Sequence, residues 1–220
     1  MLSIVMPVWD ISRDIEPMTR KAVKSIRKYT DGGFEIIVVL KGKAKFGEYS
    51  DLHPVVLSEN ASIAQMYNRG FYEAVGNYFC CFHNDVIATK HWNVPLQEEA
   101  KKGNVAFPMV KGEEIDPVPE WMPPGCCFVI TRKDCSLLGG YDEVYEFMHG
   151  EDTDLFTRAL KQGMKLIRCD SEVYHKRGGT RFLLPDKGLS ALRTNLKKWT
   201  EKNMVNGEAY LPRLSNIGGN

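Results

Sequence analysis

The stretch Asn77-Tyr-Phe-Cys-Cys-Phe-His-Asn-Asp85 decides the fold of this chain. Its apolar run from Tyr78 to Phe82 is far too short to span a membrane and has the length of a buried strand. Three polar residues follow this run at once, and each can bind a cation or hydrogen-bond a ligand. In open α/β sheets, ligands bind just beyond the carboxyl ends of the strands. The stretch therefore predicts a central strand with a binding site at its end.

The segments on either side of this strand alternate between strand and helix patterns. Apolar runs at residues 2–8 and 34–40 enclose a helical pattern from Ile15 to Tyr29, which predicts a parallel, right-handed βαβ unit. Further strands are expected at 55–57, 105–110, 126–131, 165–168 and 172–175, and further helices at 62–75, 90–102, 151–162 and 189–202. This order predicts a single α/β domain with a central, mostly parallel sheet flanked by helices.

Composition excludes several classes of protein. The 220 residues carry a formal net charge of +1, so no global field attracts nucleic acid or a membrane. No apolar run is long enough to cross a membrane. The six cysteines include two adjacent pairs and no C-x-x-C spacing, which is typical of buried free thiols in a reducing compartment. We expect a cytoplasmic protein, with peripheral attachment to a membrane left open.

Polar clusters follow apolar runs at three places, residues 83–85, residues 150–154 and His175. Aspartate and histidine ligands suit a divalent cation such as Mn²⁺ or Mg²⁺ that also holds phosphates. Simpler interpretations stay open, because Glu151 and Asp152 would also stabilise a helix start through its dipole. A single histidine such as His175 is often structural.

Taken in order, these motifs resemble those of family-2 glycosyltransferases with the Rossmann-like GT-A fold. The resemblance extends over residues 2–180 and is carried by segments 2–8, 68–76, 78–85, 139–143, 150–158 and 173–175. It implies a GT-A domain at 1–180, with a nucleotide-sugar-binding half to about residue 85 and an acceptor and catalytic half at 86–180. Residues 181–220 would form a helical tail or lid.

The resemblance implies an inverting, hexosyltransferase-type enzyme that transfers a sugar from a UDP-, GDP- or dTDP-linked donor to an acceptor hydroxyl. Asp152 would be the general base, with Glu151 beside it contacting sugar or acceptor. The implied donor-binding residues are Pro7, Val8, Trp9, Asp10, Asn68, His83, Asn84 and Asp85. The implied ligands of Mn²⁺ or Mg²⁺ are Asp85, His83 and His175.

Two further segments are candidates for the acceptor site or a lid. The proline-rich loop at 111–125 contains Trp121 and Gly125, although a plain connecting loop fits the same composition. The basic stretch after His175 could fold over bound donor. Its candidate residues are Lys176, Arg177 and Arg181. The acceptor itself, whether glycan, lipid, protein or nucleic acid, and the oligomeric state are left open.

The chain departs from the family pattern at two positions. The family usually places an acidic residue after the second strand to read the base, whereas this chain has Leu40, Lys41 and Gly42 there. The first aspartate of the family's Asp-x-Asp motif is replaced by His83. A catalytically silent nucleotide-sugar-binding or scaffold protein therefore stays open as an alternative. A sugar-phosphate nucleotidyltransferase is a second alternative, although no glycine-rich, arginine-containing loop follows the first strand.

Overall fold

The strands and helices alternate along the chain as the sequence predicts. A computed structural model describes residues 1–8, 15–41, 52–112, 123–175, 185–205, 208–209 and 215–216. The strands are β1 (Leu2–Val8), β2 (Phe34–Lys41), β3 (His53–Leu57), β4 (Tyr78–Phe82), β5 (Val86–Ala88), β6 (Val105–Lys111), β7 (Cys127–Thr131), β8 (Leu166–His175), β9 (Met204–Val205), β10 (Glu208–Ala209) and β11 (Ser215–Asn216). The helices are α1 (Ile15–Tyr29), α2 (Ile63–Glu73), α3 (Asn93–Ala100), α4 (Arg132–Leu138), α5 (Glu151–Lys161) and α6 (Pro185–Asn203).

One mostly parallel sheet organises the molecule, in the order β11-β8-β6-β7-β4-β1-β2-β3. Along this path, β7 is the strand that runs antiparallel to both of its neighbours. The short strand β5 adds a further antiparallel pairing, with the end of β8. The carboxyl ends of β1, β4 and β8 and the amino end of β7 therefore lie at the same edge of the sheet.

Apolar layers cover both faces of this sheet, which is why its strands are almost uniformly apolar. Alternate residues of β1 belong to different layers: Ile4 packs with Ile26 of α1, whereas Val5 packs with Met66 of α2. Phe156 of α5 belongs to the second layer. The sheet therefore lies between two layers of helices, and the edge at the carboxyl ends of β1, β4 and β8 is where a ligand is expected to bind.

Local signals explain where helix α2 begins. The Ser62 hydroxyl accepts a hydrogen bond from the Gln65 backbone N–H, and the Gln65 side chain accepts one from the Ser62 backbone. This capping box satisfies two N–H groups at the helix start. The sequence prediction of a helix beginning near Ser62 is confirmed.

The second half of the chain differs from the expected pattern at several points. The two short strands expected at 165–168 and 172–175 form one ten-residue strand, β8. Pro108 does not interrupt β6, because a shift in register between Phe107 and Met109 accommodates its missing N–H. Helix α4 was not expected; the Thr131 hydroxyl accepts from the Asp134 N–H at its start.

Strand β5 was also not expected, since three residues are too few to show alternation. Helix α6 begins at Pro185 rather than at residue 189, as proline at the first turn allows. Among the helices that the structure describes, none is long and apolar enough to cross a membrane. The cytoplasmic location stays a prediction.

Candidate active site

The candidate site lies where β4 ends and the chain crosses towards β8. The His83 backbone N–H donates to the Cys126 carbonyl at 2.9 Å, which continues the pairing of β4 with β7. Three residues later the chain enters β5, where Val86 pairs with His175 at the end of β8. The link at 83–85 thus places Asp85 next to His175, although two other strands lie between β4 and β8 in the sheet.

His83, Asp85 and His175 form a cluster of potential metal ligands. The His175 Nε2 lies 3.2 Å from Asp85 Oδ1, and the His83 Nδ1 lies 3.9 Å from the same oxygen. One ligand atom from each side chain falls within 4.8 Å of the other two. Two imidazole nitrogens and a carboxylate oxygen on one side of a cation leave further positions for a ligand. The sequence expectation that these residues meet is confirmed, whereas their role as ligands stays a prediction.

The charges of the three groups are set by their neighbours. Burial raises the pKa of Asp85, but the hydrogen bond and charge of His175 outweigh it and hold the pKa below its ordinary value. Desolvation lowers the pKa of His83, and the Asp85 carboxylate opposes this only in part. Asp85 is therefore anionic and His83 offers a neutral lone pair.

His175 is held in its protonated form without a cation. Burial lowers its pKa, but the neighbouring Cys126 thiol and the Asp85 carboxylate together raise it to about 10. A metal ion must displace this proton before the imidazole can bind it. Metal affinity at this cluster therefore depends on pH.

Asn84, the middle residue of this link, turns its side chain away from its neighbours. Its Nδ2 donates to the Thr19 hydroxyl of α1 at 3.1 Å, and the residue is buried. This contact ties the link to the helix that follows β1. The predicted role of Asn84 in donor binding is not tested by this contact and stays a prediction.

The start of α5 places two carboxyl groups at the same edge. Glu151 is 8% exposed, and its Oε2 has no hydrogen-bond partner among the described residues. Burial, followed by the charge of Asp152, raises the pKa of Glu151 to about 8. The Asp152 Oδ1 accepts from the Thr153 backbone N–H at 2.7 Å, which fixes the orientation of that carboxylate. Glu151 is thus protonated at neutral pH, and the Asp152 carboxylate is held in one orientation.

Gly125 lies directly against the Asp152 carboxylate. A Cβ atom at position 125 would collide with Asp152 Oδ2, so the close approach requires glycine. The Cys81 thiol donates to the Gly125 carbonyl at 3.2 Å and holds the glycine in place. The structure therefore brings Gly125, which the sequence assigned to the acceptor loop, next to the predicted base.

A pair of buried tyrosines beneath the site was not found by sequence reasoning. Tyr67 of α2 stacks on Tyr141, with ring centroids 4.8 Å apart, and lies 6.4 Å from the His83 ring. Both tyrosine hydroxyls are buried and lie near the Cys81 thiol and Glu151. Tyr67 sits at an apolar helix position, and the helical spacing indicated only a core residue there.

Asn68 fixes the turn that carries Tyr141. Its Nδ2 donates to the Tyr141 carbonyl at 2.8 Å and to Glu143 Oε1 at 2.9 Å. Its Oδ1 accepts from the Tyr141 N–H at 2.8 Å. These bonds give Asn68 a role in holding the turn, and its predicted role in donor binding stays a prediction.

The remaining predicted residues divide into two groups. Pro7 and Val8 are buried at the carboxyl end of β1, the edge to which the site belongs. Six predicted residues lie outside the part of the chain that the structure describes: Trp9, Asp10, Trp121, Lys176, Arg177 and Arg181.

Sequence comparison identifies the family of this chain. Residues 3–134 match the glycosyl transferase family 2. The chain belongs to this family. Residues 117–178 also match the family described as the N-terminal domain of galactosyltransferase. The two matched ranges together include β4, the cluster His83, Asp85 and His175, and the start of α5. No curated protein matches the chain.

Solved structures with the same fold are glycosyltransferases. GalNAc-T7 with UDP, GalNAc and Mn²⁺ is 15% identical, with a TM-score of 0.64 over 80% of this chain and 43% of its own. The mannosyltransferase PcManGT from Pyrobaculum calidifontis, with GDP-Man and Mn²⁺, is 15% identical and has a TM-score of 0.61. The alignment covers 82% of this chain and 59% of that one. S. aureus TarS 1-349 in complex with UDP-GlcNAc is 13% identical and has a TM-score of 0.58. The alignment covers 80% of this chain and 56% of that one.

These similarities show that the chain has the GT-A fold, which confirms the fold class expected from its motifs. The chain spans about half the length of these three proteins.

Proposed function

We propose that this protein is an inverting glycosyltransferase of the hexosyl-transferring type, which moves a sugar from a nucleoside diphosphate donor to an acceptor hydroxyl. The observation that carries the proposal is the convergence of two groups at one edge of the sheet. His83, Asp85 and His175 offer ligand atoms within 4.8 Å of one another. Asp152 lies close enough for its charge to act on His83. The family membership and the fold of the chain support this proposal.

The donor set fits a divalent cation of the kind found with the structural relatives. GalNAc-T7 and PcManGT were solved with Mn²⁺, one with UDP and the other with GDP-Man. Here His83, Asp85 and His175 would hold Mn²⁺ or Mg²⁺, and their three ligand atoms leave room for diphosphate oxygens. When bound, the cation neutralises negative charge that develops on the departing diphosphate.

The protein's own carboxylates supply the acid–base chemistry. Asp152 would accept the proton of the acceptor hydroxyl, since its Oδ1 is anchored by the Thr153 N–H and its Oδ2 faces the Gly125 backbone. Glu151, neutral at pH 7 because its pKa is about 8, can donate a hydrogen bond to a sugar or acceptor oxygen. Attack from the face opposite the diphosphate inverts the anomeric centre.

Donor binding and turnover test the proposal separately. Thermal unfolding and hydrolysis should be measured with UDP-GlcNAc and GDP-mannose, with and without Mn²⁺. A donor at about 100 times its dissociation constant stabilises the folded state by about 2.7 kcal/mol, which raises the unfolding midpoint. We expect Asp85→Asn to abolish the Mn²⁺-dependent shift. Asp152→Asn should keep the shift and lower hydrolysis by at least about a hundredfold, as loss of a general base does.

The exposed Asp170 provides the matched control, because Asp170→Asn removes a carboxylate from the surface of β8. Asp170→Asn should change neither the Mn²⁺-dependent shift of the unfolding midpoint nor the rate of hydrolysis. Donor binding without turnover in the wild type, or equal turnover in Asp152→Asn, would favour a silent nucleotide-sugar-binding protein. If no nucleotide sugar raises the midpoint under any metal condition, the transferase proposal is wrong.

A further inference from the structure

Helix α6 lies beyond both ranges that match known families, which end at residues 134 and 178. It nevertheless contacts the segment 142–154, which leads into the catalytic end of α5. Lys198 donates to the Val144 carbonyl at 3.0 Å, and Lys202 lies 2.7 Å from Asp154 Oδ1. The helix is therefore attached to the segment that carries Glu151 and Asp152.

Asn195 forms the centre of this attachment. It is fully buried, and its Nδ2 contacts three backbone carbonyls, those of Glu146 at 2.7 Å and of Met148 and His149 at 2.9 Å. Its Oδ1 accepts from the Glu146 N–H at 3.2 Å. One side chain thus contacts four backbone groups of a loop that has no regular structure of its own, with the two Nδ2 hydrogens shared among three carbonyls.

The loop that Asn195 holds has an unfavourable backbone. Phe147 and His149 have φ angles of 60° and 74°, in the left-handed region that side chains other than glycine rarely adopt. Gly150 follows with a φ angle of 91° and is the N-cap residue of α5. Each such non-glycine residue costs on the order of 1 kcal/mol or more and persists only when its surroundings enforce it. The Phe147 carbonyl also accepts from the Ile63 N–H at 2.9 Å, so Asn195 supports this backbone together with α2, and we expect the loop to loosen when the Asn195 contacts are lost.

Relaxation of this loop would displace the catalytic groups. Glu151 and Asp152 follow Gly150 directly, and the Asp152 carboxylate fits against Gly125 with no space for a Cβ atom. A shift of about 1 Å in a reacting group can cost a hundredfold in rate. The metal-ligand cluster would not move in the same way, because it is carried by the ends of β4 and β8.

We propose that Asn195 is a positioning residue, which holds the loop at 146–149 so that Glu151 and Asp152 are presented to the substrate. The inference rests on the proposed function, since it assigns the α6 contact to turnover by those carboxylates. It gives the C-terminal helix a role in catalysis that acts through the loop at 146–149.

The test compares two asparagines on the same helix. Asn195→Asp keeps the shape of the side chain and removes its N–H donors. Asn203→Asp is the matched control: Asn203 is equally buried, but its amide bonds the Trp199 carbonyl of its own helix and the Lys161 ammonium. Hydrolysis of UDP-GlcNAc and GDP-mannose with Mn²⁺ gives kcat and KM. Hydrogen exchange followed by mass spectrometry reports on residues 146–152, and Mn²⁺ binding is followed by electron paramagnetic resonance.

We expect Asn195→Asp to speed hydrogen exchange in 146–152 and to lower kcat by about tenfold to a hundredfold. Mn²⁺ affinity should be unchanged, because the cluster of His83, Asp85 and His175 is carried by the ends of β4 and β8, and KM should change less than kcat. Asn203→Asp should alter neither exchange nor kcat. If Asn195→Asp fails to fold, Lys198→Met is the second variant, because it removes the hydrogen bond to the Val144 carbonyl in the same segment. It should also speed exchange in 146–152 and lower kcat, but by less than Asn195→Asp.

Several outcomes would overturn the inference. Unchanged exchange in Asn195→Asp would show that Asn195 does not hold the loop. Faster exchange with normal kcat, or equal losses in the two asparagine variants, would reduce Asn195 to a structural role. A wild-type protein that hydrolyses no donor would contradict the proposed function, and the exchange data would still decide whether Asn195 holds the loop.

Discussion

At the scale of single residues, Glu151 makes stability depend on pH. Burial and the Asp152 charge raise its folded-state pKa from 4.5 to about 8. Between these values the folded state holds a proton that the unfolded state releases, so stability is greatest below about pH 4.5 and falls as pH rises towards 8. Glu151→Gln removes the cost of ionising this buried group. We expect it to raise the free energy of unfolding at pH 8 by on the order of 1–3 kcal/mol relative to wild type.

Urea unfolding at pH 5.5 and pH 8.0 checks this prediction. The variant should show a smaller loss of stability between the two conditions than the wild type. Glu98→Gln, on the exposed side of α3, is the control and should follow the wild-type dependence. Identical pH dependences for wild type and Glu151→Gln would contradict the assignment of a neutral Glu151.

At the scale of elements, the packing of α2 on β1 depends on Gly70. A Cβ atom there would overlap Val5 Cγ1 and would approach Val39 Cγ2 to 3.1 Å. Overpacking of this kind costs about 1–3 kcal/mol, which the better helix propensity of alanine offsets by about 1 kcal/mol. We expect Gly70→Ala to lower the free energy of unfolding by up to about 2 kcal/mol. It should also weaken donor hydrolysis, because α2 carries Tyr67 and Asn68.

The measurement is a thermal or urea unfolding curve for Gly70→Ala beside Gly33→Ala. Gly33 precedes β2, and the nearest atom to an added Cβ there is Met1 Cγ at 3.9 Å. The control should therefore stay within about 0.5 kcal/mol of the wild type. Equal effects at the two glycines would show that the close contact between α2 and β1 does not limit stability.

At the scale of the whole molecule, we expect α6 to unfold in one cooperative unit with the sheet. Trp199 is 3% exposed, and Lys202 reaches Asp154, which is fully buried. Arg158 and Tyr145 also bond Asp154, so a buried carboxylate loses one of three partners when α6 is removed. The proposed boundary at residue 180 would then divide a single folding unit.

We expect a chain ending at residue 180 to unfold at a lower urea concentration and less cooperatively than the full chain. Loss of a partner from a buried ion pair is costly, since the remaining charge stays out of water. A chain ending at residue 205, which keeps α6, is the control and should retain most of the stability. If the two shortened chains unfold alike, α6 is an appendage rather than part of the core.

Local sequence determined the first half of the fold, and the family resemblance of its motifs predicted the candidate catalytic groups. The strands β1, β2 and β4 and the helix α1 are long, strongly patterned segments, and their bounds agree with the structure to within a residue. Periodicity works there because each strand is covered on both faces and each helix on one. It failed for α4 and β5, which have only seven and three residues. The polar residues after β4 also predicted a site there, because ligands of open α/β sheets bind just beyond the carboxyl ends of the strands.

Local patterns did not decide which distant residues lie together: the family resemblance implied it for His83, Asp85 and His175, and the tertiary structure shows how it happens. His175 and Asp85 are 90 positions apart and meet because β5 pairs with β8, a contact that no local pattern encodes. Tyr67 and Asn195 occupy ordinary helix positions, and their roles arise from what the fold places opposite them. Propensity and periodicity depend on neighbours along the chain, whereas coordination, pKa and loop geometry depend on neighbours in space. The sequence therefore predicted which chemical groups the site would contain, and the packing of strands and helices brought those groups together.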